Sequence, residues 1–292
     1  MKKFVRFSII MVVSLVVCSC GGGGGGEIDD DDVSFTSSNP STPSGGITGS
    51  GVFIDGRSVD IYLGWASDHE VTQAEYETYC TYTAGSNPPS TGYGCGNNYP
   101  AYYVSWYDTI VYCNKRSLAE SLSPCYTING KTNPSEWGDV PAVRDATWDT
   151  VTCDFSANGY RLPTEAEWEY LARGGNKSNS GQTTYSGSNT IDNVAWYNRN
   201  SEDTSHEVKT KSANALGLYD MSGNVDEWCW DWYAENISVT TPSTGVSSGA
   251  FRICRGGNFH QADTMCYVAK RYFYNPSYRN IIVGFRVVRT VD

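Results

Sequence analysis

The sequence predicts an α+β domain that is rich in loops, with few short helices and small antiparallel sheets. Three observations favour this fold class. The 292 residues include 30 Gly, 21 Tyr and 9 Trp, yet only 18% of the residues are charged. Apolar runs are short and are interrupted by Gly, Asn, Pro and Ser, which are typical of turns. Three helix-start signals stand among these runs, and a hydrophobic content of 39% is enough for a sizeable core.

The amino terminus predicts export and a lipid anchor. Residues 2–6 carry three basic side chains, and the apolar stretch 7–17 that follows is too short to cross a bilayer. We therefore expect a lipoprotein signal peptide over residues 1–19. Cys20 follows a serine and has Val17 three positions before it, so we expect Cys20 to be lipidated and the protein to lie at the outer membrane or cell surface. The alternative is ordinary secretory cleavage that leaves Cys20 free.

Residues 20–50 have the composition of a flexible tether. Six glycines at 21–26 precede an acidic run at 29–32 and a stretch of Ser, Thr, Pro and Gly. The glycines are not followed by Lys-Ser or Lys-Thr, which a phosphate-binding loop requires. We expect a single folded domain over residues 51–292.

The charge balance argues against a nucleic-acid partner. The formal net charge is −11, and removal of the three basic residues near the amino terminus takes the mature chain to −14. An acidic protein gains nothing from the release of counterions from phosphates. We expect a monomer whose partner is a protein or another cell-surface ligand.

The cysteines favour disulfides over metal or nucleophile chemistry. An even number in an exported chain makes disulfides plausible, without revealing their connectivity. The sequence contains no CxxC pair and only three histidines, which gives poor support for a zinc site or a Cys/His nucleophile. Eight cysteines lie beyond the tether: Cys80, Cys95, Cys113, Cys125, Cys153, Cys229, Cys254 and Cys266.

Three helices and two strands can be placed. Helices are predicted to begin after Thr72, Ser105 and Thr164, because each has an acidic residue three positions later in a capping box and apolar residues at helical spacing. Strands are predicted at residues 253–255, before a Gly-Gly turn, and at residues 283–288.

Four separated motifs resemble one family. They are Glu70-Val-Thr-Gln-Ala-Glu-Tyr76, Gly159-Tyr-Arg-Leu-Pro-Thr-Glu-Ala-Glu-Trp-Glu-Tyr-Leu-Ala-Arg-Gly-Gly175, Asn214-Ala-Leu-Gly-Leu-Tyr-Asp-Met-Ser-Gly-Asn-Val-Asp-Glu-Trp228, and the pair Arg255-Gly-Gly-Asn-Phe259 with Gly284-Phe-Arg-Val287. In order and spacing they resemble the formylglycine-generating enzyme (sulfatase-modifying factor) family over nearly all of residues 70–289. The resemblance implies the C-type lectin fold, in the variant found in formylglycine-generating enzymes.

The resemblance also implies two sites. Asn224 and Glu227 match positions that help to bind calcium in related enzymes, whose oxygen ligands suit that ion. The alternative, which we favour, is that both residues belong to the scaffold; Asp226 stands where the family usually has Trp. The catalytic cysteine pair of the enzymes would fall on Gln261 and Cys266. A single thiol cannot supply that redox and copper-binding pair, so we expect no catalytic residues, no required cofactor and no formylglycine synthesis.

Residues 258–282, called the variable segment below, have a composition unlike the rest. Six of these 25 residues are Phe or Tyr, and the segment has no hydrophobic periodicity. It resembles the carboxy-terminal variable region of proteins diversified by retroelements, in which adenines of Asn codons are randomised, and in particular the variable lipoproteins of the treponemal type. Gln261, Met265 and Lys270 fall outside the residue types that such codons reach.

The variable segment supplies the predicted ligand-binding residues. The four residues from Tyr272 to Asn275 cannot all point inward, since alternate residues of a strand face opposite sides. Displayed Tyr among small polar residues is typical of binding loops. The candidates are Phe259, His260, Ala262, Asp263, Thr264, Tyr267, Tyr272, Phe273, Tyr274, Asn275, Ser277, Tyr278, Asn280, Ile281 and Ile282.

These observations favour a non-enzymatic, surface-displayed lipoprotein that binds ligands through a diversified segment. The alternatives are an oxidoreductase or maturation factor of the formylglycine-generating type in the cell envelope, and a structural envelope protein. A near-copy of the coding segment with excess adenine, beside a reverse transcriptase gene, would distinguish the first hypothesis from the other two.

Overall fold

The computed structural model describes residues 51–54, 57–82, 89–175 and 182–291, together with the backbone of residues 32–34. Residues 31–292 form one compact unit. The predicted signal peptide and the lipidation site Cys20 lie outside the described residues. Within the described part of the chain, no helix is both long enough and apolar enough to span a membrane.

The three predicted helices are confirmed. Each begins after a capping box, in which a Ser or Thr hydroxyl accepts from the N–H three residues on and an acidic side chain accepts from the cap N–H. Their bounds are α1 Gln73–Tyr79, α2 Trp106–Ala119 and α3 Glu165–Ala172. Helix α3 ends before Gly174 and Gly175, which adopt positive φ values of 65° and 73°.

The strands are short and form three small sheets. They are β1 Asp32–Ser34, β2 Trp65–Ser67, β3 Tyr126–Thr127, β4 Thr152–Cys153, β5 Tyr160–Arg161, β6 Asp226–Trp232, β7 Arg252–Arg255, β8 Tyr272–Tyr274, β9 Val283–Gly284 and β10 Val288–Arg289. Two sheets have four strands, in the orders β1-β2-β10-β5 and β8-β7-β6-β9, and β3 pairs with β4. All pairings are antiparallel except that of β6 with β9.

Two boundaries differ from the sequence prediction. Strand β1 lies inside the predicted tether, but its backbone pairs with β2, so the chain is part of a sheet at these residues. The pairing provides hydrogen-bond partners for the backbone N–H and C=O groups along one edge of β2. The predicted terminal strand 283–288 is divided. Its first part joins β6 and its last part joins β2 and β5, because the intervening residues carry the chain from one sheet to the other.

Large aromatic side chains fill the core. Trp106, Trp168 and Trp228 are fully buried. Trp106 and Trp228 donate their indole N–H groups to the carbonyls of Cys229 and Val104. These hydrogen bonds satisfy the polar atom that each Trp brings into the core.

Helix α3 directs three buried glutamates into the molecule, and each is paired with arginine. Arginines from β5, β7, the end of α3 and the variable segment converge on this helix. Because removing one partner would leave an uncompensated buried charge, these pairs fix how α3 meets the two larger sheets. The pairs are Glu165 with Arg255 and Arg271, Glu167 with Arg161, and Glu169 with Arg173 and Arg255.

The prediction of disulfides is wrong for the structure described. The eight cysteines from Cys80 to Cys266 are all free thiols, and most are buried in the apolar clusters. Burial raises the pKa of Cys80 to about 12. The buried thiols therefore serve as small apolar side chains, and the core is held by aromatic packing and ion pairs.

Candidate functional site

The variable segment is fastened to the scaffold by two arginines. Arg271 donates from Nε and Nη2 to the Glu165 carboxylate of α3, at 2.6 and 2.8 Å. Arg279 donates from Nε to Asp108 Oδ2 of α2 at 2.7 Å. Arg271 is buried and the side chain of Arg279 is 10% exposed, so neither is available to a ligand. We use the word frame for residues of this kind, which hold the variable segment in the fold.

The first part of the segment forms an exposed loop. His260, Ala262 and Thr264 are exposed, and Asp263 is half-buried. The His260 N–H donates to Asn258 Oδ1, and the His260 ring Nε2 lies 3.2 Å from the Asp203 carbonyl. The loop is thus shaped by backbone hydrogen bonds together with contacts of the Asn258 and His260 side chains, and its exposed side chains are not part of the core clusters.

Phe259 is not a displayed residue, which corrects the sequence prediction. Its side chain is fully buried. Its N–H donates to the Asn224 carbonyl, and its own carbonyl accepts from Ser201 Oγ at 2.8 Å. The pattern of residue types placed Phe259 in the variable set, but its packing makes it part of the frame.

Strand β8 presents different residues on its two sides, as the alternation of a strand requires. Tyr272 and Tyr274 are half-buried and pack against the core on one side. Phe273 is 41% exposed on the other side, where it stacks on Tyr233 with ring centroids 4.0 Å apart and contacts Phe251. The predicted binding residues therefore do not form one surface, and Tyr233 and Phe251 join Phe273 although sequence reasoning missed them.

The remaining predicted positions are half-buried. Tyr278 stacks on Tyr274, with centroids 4.6 Å apart and an interplanar angle of 16°. Ile282 packs against the core, and its carbonyl accepts from the Asp226 N–H. We call Tyr272, Tyr274 and Tyr278 the tyrosine face. The half-buried positions are Tyr267, Asn275, Ser277, Tyr278, Asn280, Ile281 and Ile282.

A buried acid lies beneath the tyrosine face. Asp226 accepts from Asn258 Nδ2 at 2.8 Å and from the Tyr274 hydroxyl at 3.1 Å, both through Oδ2. Burial raises the pKa of Asp226 to about 7, although hydrogen bonds from Asn258, Tyr274 and the Gly257 amide act in the opposite direction. The substitution of Asp for the family's usual Trp is the sequence signal that could have revealed this contact.

The two positions that match the family's catalytic thiols hold a glutamine and a buried cysteine. Gln261 occupies the first position, and Cys266 is fully buried, with a pKa that burial raises well above its usual range. A Cβ on Gly257 would meet Cys266 Sγ at 2.9 Å, so the turn before the thiol has room only for glycine. A protonated, enclosed thiol without a partner thiol is a poor redox centre.

The side chains of the two calcium candidates, Asn224 and Glu227, form hydrogen bonds with other residues, and Glu227 also forms an ion pair. Glu227 accepts from Arg286 through both oxygens at 2.6 Å and from Trp168 Nε1 at 2.7 Å. Asn224 donates to Glu70 Oε2 and accepts from the His206 N–H through Oδ1. A cation at Glu227 would lie beside a guanidinium, so this pair does not fit calcium. No group of three His, Cys, Asp or Glu residues suited to a metal occurs in the described part of the chain.

Comparisons with known proteins agree with this architecture. Residues 59–291 match the sulfatase-modifying factor enzyme 1-like domain. The chain is 37% identical over 249 residues to the chaperone protein LppX of Paenibacillus barcinonensis, a match that covers 79% of this chain and 80% of that protein. It is 34% identical over 167 residues to the formylglycine-generating enzyme of Streptomyces coelicolor, a match that covers 51% of this chain and 53% of that enzyme.

A solved structure shows the same fold. Treponema denticola variable protein 1 superposes with a TM-score of 0.73 at 32% sequence identity, covering 89% of this chain and 94% of that one. The predicted α+β fold, a C-type lectin fold of the formylglycine-generating-enzyme type with few helices and small sheets, is confirmed. The predicted resemblance to treponemal variable proteins is confirmed as well.

Proposed function

The chain belongs to the sulfatase-modifying factor enzyme 1-like family, and from that premise we propose that it is a non-enzymatic binding protein. In this proposal the protein is a lipoprotein, anchored through Cys20 at the outer membrane or cell surface. It captures a protein or another surface ligand with the exposed positions of the variable segment, and retroelement diversification of those positions changes the ligand.

One observation carries the proposal: the variable segment separates residues that hold the fold from residues that face outward. Arg271 and Arg279 are ion-paired with α3 and α2. Between and before them, His260, Thr264 and Phe273 are exposed and are not required by any core cluster. A scaffold with this division tolerates many sequences at the outward positions without losing its fold.

The contacts around Cys266 support a role without formylglycine synthesis. The family includes enzymes, but here Gln261 stands at the first thiol position and the second thiol, Cys266, is enclosed. The likeness to a variable protein of Treponema denticola over nearly the whole of both chains supports a binding role.

A second candidate function is that of a chaperone for exported proteins. The observation that favours it is the match to the chaperone protein LppX, which covers about four fifths of both chains. A chaperone recognises unfolded segments of many proteins, whereas a diversified receptor recognises a folded ligand that differs between variants. Suppression of aggregation of a reduced, unfolded model protein therefore separates the two functions.

Two experiments test the proposed function. The first is to sequence the DNA downstream of the coding region for a near-copy of the segment encoding residues 258–282, with excess adenine and an adjacent reverse transcriptase. The second is to sequence this segment from many cells of one culture. We expect substitutions at positions such as His260, Ala262 and Thr264 and constancy at Arg271 and Arg279. A segment without a template copy and without variation would contradict diversification.

A further inference from the structure

Asp226 lacks the arginine partner that several other buried acids have. Glu165, Glu167 and Glu227 each pair with an arginine at 2.6 to 2.7 Å. The contacts of Asp226 are to neutral groups, namely the Asn258 amide, the Tyr274 hydroxyl and the Gly257 N–H, and among the described residues no Lys or Arg forms an ion pair with it. Its Oδ1 is buried without a hydrogen-bond partner of normal geometry. Asp226 is thus an acid that lacks a counter-charge.

The half-buried Tyr274, whose hydroxyl contacts this acid, belongs to a cluster of aromatic rings. Tyr274 and Tyr278 are stacked, and Trp228 meets the Tyr274 ring edge to face at 6.1 Å. The charge of Asp226 contributes to raising the pKa of Tyr272, Tyr274 and Tyr278, after the larger effect of burial, so all three side chains feel its field. Ring faces attract cations, and a buried negative charge behind them adds to that attraction.

We propose that the tyrosine face takes a cationic group, the guanidinium or ammonium end of an Arg or Lys side chain in a protein ligand, with Asp226 as its buried counter-charge. The inference rests on the proposed function, because it names a ligand chemistry for half-buried positions of the same variable segment. The cation docks on the solvent-exposed part of the stacked Tyr274 and Tyr278 rings, whose remaining atoms pack against the core, and does not need to reach Asp226 directly. The net charge of −11 attracts basic ligands over longer distances.

Binding of a cation has an electrostatic consequence at Asp226. A positive charge above the rings favours the ionised carboxylate and releases a proton near neutral pH, where Asp226 titrates. The other titratable groups that face Asp226 are the Cys254 and Cys266 thiols, which burial keeps protonated, and Glu227, which Arg286 holds. Proton release on binding therefore reports on Asp226.

The test uses the mature full-length chain and two small probes, acetyl-arginine amide and its neutral isostere acetyl-citrulline amide. Binding is followed by NMR of protein labelled on the tyrosine rings. We expect the arginine probe to bind about five-fold more tightly and to perturb Tyr274 and Tyr278. Asp226→Asn should abolish this preference, whereas Glu235→Gln, which removes the same charge at an exposed site, should preserve it. Thermal unfolding of each variant verifies the fold.

Equal binding of the two probes, or an unchanged preference in Asp226→Asn, would overturn the inference. Proton release on binding, measured in two buffers by calorimetry, provides an independent readout. If Asp226 were purely structural, the number of protons released would be the same in the parent and in Asp226→Asn. Selection from a peptide-display library separates this inference from the proposed function. Ligands that lack Arg and Lys but depend on the variable segment would overturn the cation inference alone. The absence of any ligand that depends on the segment would overturn both.

Discussion

The Arg161 guanidinium donates two hydrogen bonds to the Glu167 carboxylate, 2.7 Å to Oε2 and 2.9 Å to Oε1, and neither side chain is exposed. The pair joins β5 to α3. Glu167 also accepts from the N–H groups of Tyr62 and Thr164, so one carboxylate connects the first turn of α3 with two other chain segments. The ion pair of Arg161 with Glu167 is therefore a buried structural contact and not a surface ion pair.

Glu167→Gln should destabilise the protein by about 3–5 kcal/mol, because Arg161 is left as an uncompensated buried charge. Thermal and urea unfolding measure the loss. The matched control is Glu136→Gln, which removes the exposed pair with Lys131 and should change the free energy of unfolding by less than about 1 kcal/mol. Similar effects in both variants would show that the buried pair is not structural.

The effect of a substitution in the variable segment on stability should depend on whether the side chain is exposed. Combined His260→Ala and Thr264→Ala should change stability by within about 0.5 kcal/mol, because both side chains are exposed. Tyr274→Ser should cost more than that, since it removes packing against Trp228 and the hydrogen bond to Asp226. Thermal unfolding distinguishes the two classes. If Tyr274→Ser unfolds like the parent, the ring is displayed as the sequence suggested and is not part of the packing.

Stability should depend on pH through His69. Burial alone would lower its pKa, but hydrogen bonds and charges from Asp68 and Glu75 raise it to about 9. A raised histidine pKa stabilises the fold fully below the unfolded pKa of about 6.5, and this stabilisation is lost as pH rises to about 9. We expect the difference in unfolding free energy between the parent and His69→Asn to shrink over that range. A difference that stays constant between about pH 6.5 and 9 would exclude the contribution.

The protein should not convert cysteine to formylglycine. The reason is that Gln261 replaces one required thiol and Cys266 is enclosed and protonated. A sulfatase-derived peptide incubated with copper and reductant, and analysed by mass spectrometry, should remain unmodified. Turnover that disappears in Cys266→Ser would contradict the non-enzymatic proposal.

Cys20→Ala should block lipidation, because Cys20 is the residue that follows the predicted cleavage site. We expect unprocessed precursor or release of the protein from the membrane fraction, measured by metabolic labelling with a fatty acid and by fractionation. Cys18→Ala is the matched control and should leave anchoring intact. Anchoring that persists without Cys20 would show that another residue carries the lipid.

The sequence by itself determined the local structure and the family. The capping boxes at Thr72, Ser105 and Thr164 were predictable because each is a hydrogen-bond pattern between residues three apart. The motifs around Arg161 and Glu227 identified the fold through their resemblance to the family, and that resemblance also implied that Gln261 stands where the family has a thiol.

Only the tertiary structure decided which variable residues face outward. Phe259 is buried, Phe273 lies on the opposite side of β8 from Tyr274, and the cysteines remain free thiols. Each outcome depends on residues distant in the chain that pack against the segment, such as Asn224 behind Phe259 and Asp226 beneath Tyr274. A linear pattern specifies neighbours along the chain, whereas burial and the charge environment arise from contacts between segments that are far apart in the sequence.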